Sequence, residues 1–115
     1  TTMKSFFLTF ILLISTTITV ANSRGSALII DVRTPIEWET GHLPGAKFIE
    51  WQEIGEKIAN ITTNKDETIY VYCRSGNRSG KAKEILVQLG YSNVFNAGGV
   101  TEAQAFIDSS EAAEH

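Results

Sequence analysis

The sequence predicts an α/β fold, in which a parallel β-sheet is flanked by helices and an N-terminal signal segment precedes the domain. The length of 115 residues fits one small domain and leaves no room for two. Short apolar runs rich in β-branched residues alternate with helical patterns, and this alternation favours parallel strands. The start of the chain departs from the pattern, because it is apolar over a longer stretch.

The charge and the content of metal-ligating residues exclude several classes of function. The chain has 10 basic and 13 acidic residues, giving a net charge of −3, whereas a general nucleic-acid binder carries a basic excess. The single cysteine excludes an intramolecular disulfide and a zinc site built from several cysteines. Since there are only two histidines, we expect no zinc or other metal site. We also expect no cofactor.

Residues 1–21 are typical of a secretory signal peptide. Lys4 gives a basic start, residues 6–20 are uncharged and mostly apolar, and the small residues Thr19 and Ala21 suit a cleavage site. Two threonines precede the first methionine. The apolar stretch is short for a membrane span, which needs about 20 residues. An uncleaved anchor and a core element of the fold are the alternatives.

A cleaved signal predicts a periplasmic protein with no stable membrane association. An uncleaved signal predicts a membrane-anchored protein that faces the periplasm. In an oxidising compartment, one unpaired thiol either forms an intermolecular bridge or is kept for reaction. This draws attention to Cys73.

The first strand and the first helix follow the signal segment. Residues 27–32 are a short apolar run that predicts a buried strand. Thr34 is a good N-cap, Pro35 suits the first helical position, and Glu37 completes a capping box. A short helix is therefore expected to start here and to end near Gly41.

The middle of the chain contains a weak strand and two stronger elements. Residues 47–49 are the weak candidate, and residues 64–67 predict a polar turn. One helical face is predicted from the spacing of Trp51, Ile54, Ile58 and Ile61. The clearest strand spans residues 68–72 and leads directly into Cys73.

A second amphipathic helix follows the cysteine. We expect it to begin at Ser79 and to be closed by Gly90. Its apolar face consists of Ala82, Ile85, Leu86 and Leu89.

Shorter elements complete the predicted domain, which spans residues 27–107. Residues 93–95 predict a strand, and Gly98 and Gly99 predict a loop that permits close backbone approach. A final helix is indicated by Ala103, Phe106 and Ile107. The tail, residues 108–115, is expected to be frayed.

The segment after the clearest strand carries the candidate chemistry. In a parallel sheet the ligand site lies at the carboxyl ends of the strands, where Cys73 is expected. Gly76 and Asn77 tolerate unusual backbone angles, so successive N–H groups can point inward as an anion-binding nest. The helix N-terminus adds partial positive charge, and Arg74 and Arg78 add formal charge. These features favour a thiolate and an anionic substrate.

Each of these residues also has a structural interpretation. A lone cysteine after an apolar strand is commonly a small buried residue, although two nearby arginines are poor core neighbours. A solvated surface is the alternative position for Arg74 and Arg78. Lys81 and Lys83 fit ordinary solvated helix positions.

Charged residues are also expected at the same edge of the sheet. Asp31 and Arg33 end the first strand, and they are expected to pair with each other, with Glu37 or with the cysteine loop. Substrate steering is the alternative role. His42 fits a turn residue that holds its loop better than it fits an acid or a base.

Four stretches together resemble the rhodanese (thiosulfate sulfurtransferase) family, specifically its small exported single-domain type. The stretches are Ile30-Asp31-Val32-Arg33 with Glu37 behind it, Gly41-His42-Leu43-Pro44-Gly45-Ala46, Cys73-Arg74-Ser75-Gly76-Asn77-Arg78-Ser79, and Asn96-Ala97-Gly98-Gly99. The resemblance covers residues 27–107, and the cysteine loop is its most specific part. Family members often have a tryptophan shortly after the paired glycines, where this chain has Ala103.

The resemblance implies a rhodanese-like domain that transfers sulfur in two steps. The Cys73 thiolate would take a sulfane sulfur from thiosulfate or a related small anionic donor and hold it as a persulfide. A thiol or cyanide would then accept the sulfur. The substrate-binding residues would be Arg74, Ser75, Gly76, Asn77, Arg78 and Ser79, and the supporting residues would be Asp31, Arg33 and His42.

Two other functions are open. Cysteine-dependent phosphatases and arsenate reductases are one, but phosphatase loops place five residues between cysteine and arginine. Here only residues 74–77 separate Cys73 from Arg78, and no aspartate stands near the loop as a general acid. A persulfide carrier or redox-sensing module without turnover is the other.

Overall fold

A computed structural model describes residues 27–113, which form a four-stranded parallel β-sheet flanked by helices. The predicted signal peptide, residues 1–21, lies outside the described residues. In chain order the elements are β1 (Leu28–Asp31), α1 (Pro35–Glu39), β2 (Lys47–Phe48), α2 (Ile54–Lys57), β3 (Ile69–Cys73), α3 (Asn77–Gln88), β4 (Val94–Gly99) and α4 (Val100–Ala113). Within this part of the chain, no helix has both the length and the apolar character needed to cross a membrane.

The strands lie in the order β2–β1–β3–β4, and each neighbouring pair is parallel. This confirms the predicted α/β architecture. Asp31 pairs with Tyr72, and Cys73 pairs with Gly99, so the carboxyl ends of β1, β3 and β4 lie side by side. The candidate loop therefore leaves the sheet at the edge where α/β proteins bind ligands.

Alternation along β3 divides the core between the two faces of the sheet. Ile69, Val71 and Cys73 pack into one cluster, whereas Tyr70 and Tyr72 pack into the other. The first cluster also contains Ile54, Ile58, Ala82 and Leu86, and the second also contains Ala103 and Ile107. Cys73 thus lies on the face of the sheet that α3 covers.

Two predicted helix boundaries have the expected local chemistry. At the start of α1, the Thr34 hydroxyl accepts the Glu37 N–H at 3.3 Å, and the Glu37 carboxylate accepts the Thr34 N–H at 3.0 Å. At the end of α3, Gly90 has a φ of 102°. The N–H groups of Gly90 and Tyr91 donate to carbonyl groups in the last turn of the helix, which closes it as predicted.

The helical segment after β2 is less regular than its apolar spacing predicts. A 3₁₀ turn at Trp51–Glu53, then α2, then a second 3₁₀ turn at Ile58–Asn60 follow one another. Ile54 and Ile58 are buried, as the pattern predicts. Isoleucine, glycine and asparagine are weaker helix formers than alanine or leucine. This segment therefore buries one face without forming a single continuous helix.

The carboxyl-terminal helix is longer than predicted. The tail, residues 108–115, is predicted to be frayed from Ser109, but α4 continues to Ala113, so this prediction is wrong for the described part. Residues 100–113 contain no glycine or proline that would end the helix earlier. Gln104 also donates a side-chain hydrogen bond to Asp108 one turn later, at 2.9 Å.

A buried ion pair closes the carboxyl end of β1. Asp31 has no exposed surface, and Arg33 is 5% exposed. The guanidinium donates to the carboxylate from Nε at 2.9 Å and from Nη2 at 2.6 Å, and Nη2 also donates to the Gly41 carbonyl at 2.7 Å. The two residues therefore pair with each other, which is one of the pairings expected from the sequence, and they hold the chain that follows α1.

We expect Asp31→Ala to lower the free energy of unfolding by about 3 kcal/mol, because it leaves the Arg33 guanidinium buried without its partner. Urea denaturation at pH 7 measures the loss. The control is Glu53→Ala, which breaks an exposed pair with Lys57 (N···O 2.9 Å) and should cost less than about 1 kcal/mol. Equal losses in the two variants would contradict the structural role assigned to Asp31.

Candidate active site

Cys73 ends β3 and is fully buried. The chain turns at Gly76, whose φ of 99° lies in the left-handed region that favours glycine. Helix α3 begins at the next residue, Asn77, so the predicted start at Ser79 is too late. The turn at Gly76 reverses the chain in fewer residues than expected and brings the first turn of the helix to the sulfur.

The Cys73 sulfur occupies the place of a helix-capping acceptor. The Gly76 N–H donates to Sγ at 3.0 Å, and the Ser79 N–H donates to it at 3.4 Å. Gly76 is the N-cap of α3 and has no side chain to cap the helix, whose first N–H groups lack partners within it. The sulfur supplies the missing acceptor, and a negative charge there interacts favourably with the helix dipole.

Opposing effects act on the pKa of Cys73. Burial raises the pKa, because a thiolate loses solvation in the core. Hydrogen bonds from the Ser79 hydroxyl and from the N–H groups of Ser79, Gly76 and Ser75 lower it, and the net shift is downward from the ordinary value. The site therefore favours ionisation of the thiol.

Arg78 is bound by the carboxylate of Glu37, which lies on α1. Nη1 donates to Oε1 at 2.8 Å, and Nη2 donates to Oε2 at 3.2 Å. The hydrogen bond from Arg78, assisted by the Thr34 N–H and hydroxyl, lowers the pKa of Glu37 to about 2. The pKa of Arg78 is raised, chiefly by Glu37 and to a smaller extent by the nearby Cys73. Arg78 thus links α3 to α1 through Glu37, and its positive charge interacts with Cys73.

The other predicted substrate-binding residues differ in exposure. The Arg74 side chain is 74% exposed, and its Nε lies 3.9 Å from a Glu37 carboxylate oxygen. Ser75 and Asn77 are also exposed, whereas Ser79 is buried beside the sulfur. The loop therefore presents one arginine and two small polar residues to solvent.

Strand β4 lies directly against the loop. The sequence predicts a loop at Gly98 and Gly99, but both belong to β4 and pair with the end of β3. A Cβ at Gly99 would overlap the carbonyl oxygen of Arg74, and a Cβ at Gly76 would lie 3.5 Å from Gly98 Cα. The expected close backbone approach is confirmed, and it excludes a side chain at Gly99. At Gly98 the reason is a φ of 90°, which favours glycine.

The predicted supporting residues lie around the chain between β1 and β2. Asp31 and Arg33 form the buried pair described above. The His42 ring stacks on Trp38 with centroids 3.4 Å apart, and its Nδ1 lies 3.2 Å from the Trp38 carbonyl oxygen. These contacts fasten the segment that follows α1.

Two residues have more contacts at the site than the sequence indicated. The sequence predicted Glu37 as part of a helix cap and as a possible partner of Asp31 or Arg33. Its pairing with the loop could have been inferred, because Arg74 and Arg78 need a negative charge nearby. Asn96 had no assigned role. Its Oδ1 accepts the Ser79 hydroxyl at 2.7 Å, and its Nδ2 donates to the Gly76 carbonyl at 3.0 Å. The predicted strand ended at residue 95, so the available signal was the place of Asn96 in the fourth stretch that resembles the rhodanese family.

Comparison with known families identifies this strand–loop–helix arrangement. A family model described as the rhodanese-like domain matches residues 19–105. The chain belongs to this family. The match confirms the resemblance seen in the four sequence stretches.

Individual relatives agree with the family. The chain is 45% identical over 73 residues to the thiosulfate sulfurtransferase PspE of Escherichia coli, covering 64% of this chain and 70% of PspE. It is 39% identical over 72 residues to a sulfurtransferase of Allochromatium vinosum, covering 63% of this chain and 65% of that protein. A structure described as a rhodanese with anions from E. coli is 43% identical, with a TM-score of 0.65, and the alignment covers 67% of this chain and 91% of that one.

We expect Glu37→Gln to destabilise this rhodanese-like domain by about 2 kcal/mol at pH 7. Because folding lowers the pKa of Glu37 from 4.5 to about 2, its contribution is present above pH 4.5 and is lost as the pH falls towards 2. Urea denaturation across this range measures the difference between wild type and variant. Glu39→Gln, on a different face of α1, is the control. A difference that stays constant down to pH 2 would contradict the pairing.

We expect Gly99→Ala to cost about 1–3 kcal/mol of stability, because the new methyl group displaces the loop at Arg74. The same displacement moves the N–H donors of the loop away from the Cys73 sulfur, so the pKa of Cys73 should rise. Urea denaturation measures the first effect, and titration of the thiolate ultraviolet absorbance measures the second. The control is Gly80→Ala in α3, whose Cβ would make an ordinary contact 3.5 Å from Asn96 and should not destabilise the helix. Similar behaviour of the two variants would show that β4 does not shape the loop.

Proposed function

We propose that the protein is a sulfurtransferase that moves a sulfane sulfur through a persulfide on Cys73. The donor is thiosulfate or a related small anion, and the acceptor is a thiol or cyanide. The observation that carries the proposal is the contact between Sγ and the N-terminus of α3, with N–H groups at 3.0 and 3.4 Å. The rhodanese-like family and the named relatives support sulfur transfer in general.

The proposed reaction has two steps and needs no outside oxidant. The Cys73 thiolate attacks the sulfane sulfur of thiosulfate, a new S–S bond forms, and the bond to the sulfite group breaks. Sulfite leaves with the electron pair, and the enzyme holds a persulfide. A thiol or cyanide then attacks the outer sulfur, and the electron pair of the S–S bond returns to Cys73 as a thiolate.

The loop residues have different parts in this mechanism. The N–H groups of Gly76 and Ser79 stabilise negative charge on the sulfur. Arg74, which is largely exposed, binds the anionic donor. Arg78 adds positive charge near the sulfur and holds the loop in place through its ion pair with Glu37. Ser75 and Asn77 complete the outer rim of the predicted substrate site. Because the cysteine has no exposed surface, the donor reaches it when this loop moves aside.

We also propose that the chain acts after export. The support is the sequence of residues 1–21, whose basic start, apolar centre and small residues before the cleavage site are those of a signal peptide. The mature protein would then be periplasmic, and a membrane-anchored protein facing the periplasm is the alternative. No cofactor is needed for the proposed steps, because the thiolate is the nucleophile and the leaving groups are stable anions.

The intact mass of the protein tests the function. After incubation with thiosulfate, the mass should rise by about 32 Da, the mass of one sulfur atom. Cyanide should remove the added sulfur, and repeated cycles should produce thiocyanate. Cys73→Ser should fold normally and gain no sulfur, because the nucleophile is absent.

The controls separate the alternatives. A sulfur gain in Cys73→Ser would refute the assignment of the nucleophile. A single sulfur gain that cyanide removes once, without repeated production of thiocyanate from thiosulfate, would indicate a persulfide carrier without turnover. If the wild type gains no sulfur from thiosulfate and instead hydrolyses a phosphate monoester, the proposal is wrong and the phosphatase alternative is correct.

A further inference from the structure

Asn96, on β4, is hydrogen-bonded to the end of the cysteine loop and to the first turn of α3. Its Nδ2 donates to the Gly76 carbonyl at 3.0 Å, and its Oδ1 accepts the Gly98 N–H at 3.0 Å. One of these backbone partners can only accept and the other can only donate. The orientation of the carboxamide is therefore fixed, with its oxygen on the side of Gly98.

The Ser79 hydroxyl lies between two acceptors and has one proton. Its Oγ is 2.7 Å from Asn96 Oδ1 and 3.4 Å from Cys73 Sγ. Since Oδ1 only accepts, the short contact requires the hydroxyl to donate to Asn96. The lone pairs of Ser79 then face the sulfur. A Cys73 thiol can donate its proton to them, but a thiolate requires the hydroxyl proton for itself.

We propose that Asn96 is a positioning residue that competes with Cys73 for the hydroxyl proton of Ser79. In the thiol state, hydrogen bonds run from Cys73 to Ser79 and from Ser79 to Asn96. When the thiol ionises, the hydroxyl turns from Asn96 to the sulfur. Asn96 is exposed, so water can replace Ser79 at its oxygen. Formation of the thiolate is thereby coupled to one side-chain hydrogen bond on the neighbouring strand.

This coupling limits how much the hydroxyl can stabilise the thiolate. In the wild type, the bond to the sulfur forms at the expense of the bond to Asn96, so the net effect of Ser79 on ionisation is small. Without the carboxamide, the hydroxyl has the sulfur as its acceptor, and its full effect is realised. The inference rests on the proposed function only in taking Cys73 as the reacting residue, and it does not depend on the identity of the sulfur donor.

The charge of Arg78 interacts with Cys73, and the charged groups on the surrounding elements must stay constant in a test. They are Asp31 at the end of β1, Arg33 after it, Glu37 on α1, Arg74 in the loop, Arg78 on α3 and Glu102 on α4. None of them is changed in the variants below. Differences between the variants therefore report the Ser79 hydroxyl and its partners.

A double-mutant cycle tests the competition. The four proteins are the wild type, Ser79→Ala, Asn96→Ala and the double variant. Titration of the thiolate ultraviolet absorbance gives the pKa of Cys73 in each, with Cys73→Ser as the blank. We expect Ser79→Ala to raise this pKa by less than about half a unit in the wild type, but by about one unit or more in the Asn96→Ala background. Equal shifts in the two backgrounds would overturn the inference.

Two features keep the result interpretable. Asn96→Ala also removes the bond to the Gly76 carbonyl, but this loss is common to both proteins in that background and cancels in the difference. Asn96→Asp supplies a second test, because it keeps an acceptor for Ser79 and its added charge is common to the two proteins compared in that background. The effect of Ser79→Ala should stay small in that background, and a shift of about one unit there would also overturn the inference.

The titration is independent of sulfur transfer. If the cycle shows the expected coupling but thiosulfate loads no sulfur, the proposed function fails and the role of Asn96 stands. If sulfur loads normally and the two pKa shifts are equal, the role of Asn96 fails and the proposed function stands.

Discussion

The hydrogen bonds from the start of α3 to the Cys73 sulfur are the interaction on which the rest of the site depends. They require β3 to end at the cysteine, the chain to turn at Gly76 with a φ of 99°, and the helix to begin at the next residue. They also require β4 to approach without a side chain, because a Cβ at Gly99 would overlap the Arg74 carbonyl oxygen. All of these are demands on the backbone, so glycines and the cysteine carry the clearest part of the sequence signal.

The charges of the loop divide into a structural part and an exposed part. Arg78 is held by Glu37 through two hydrogen bonds, so the positive charge near the sulfur is partly balanced. Arg74 keeps a largely exposed side chain. Backbone N–H groups therefore stabilise a thiolate, with a contribution from the Ser79 hydroxyl that competition from Asn96 reduces, and they act against the cost of burying Cys73. Salt weakens the stabilisation provided by buried hydrogen bonds less than it weakens the stabilisation provided by an exposed arginine.

Local sequence signals predicted the helix boundaries that depend only on neighbouring residues. The capping box at Thr34 placed α1, and Gly90 placed the end of α3. Features set by tertiary contact were not predictable in the same way. The start of α3 depends on the sulfur as a capping acceptor, and the strand character of Gly98 and Gly99 depends on pairing with β3. Neither contact has a signature within its own stretch of sequence, because each joins residues brought together by the sheet.

The same contacts bear on the choice between sulfur and phosphoryl chemistry. In a phosphate nest, backbone N–H groups must be available to the oxygens of the bound anion. Here the N–H groups of Gly76 and Ser79 are directed at the Cys73 sulfur itself. Only residues 74–77 lie between the cysteine and Arg78, so the loop has little further backbone to offer a tetrahedral group. A loop whose donors converge on one sulfur atom fits the proposed reaction, in which the Cys73 sulfur begins as a thiolate and becomes a thiolate again when the persulfide is discharged.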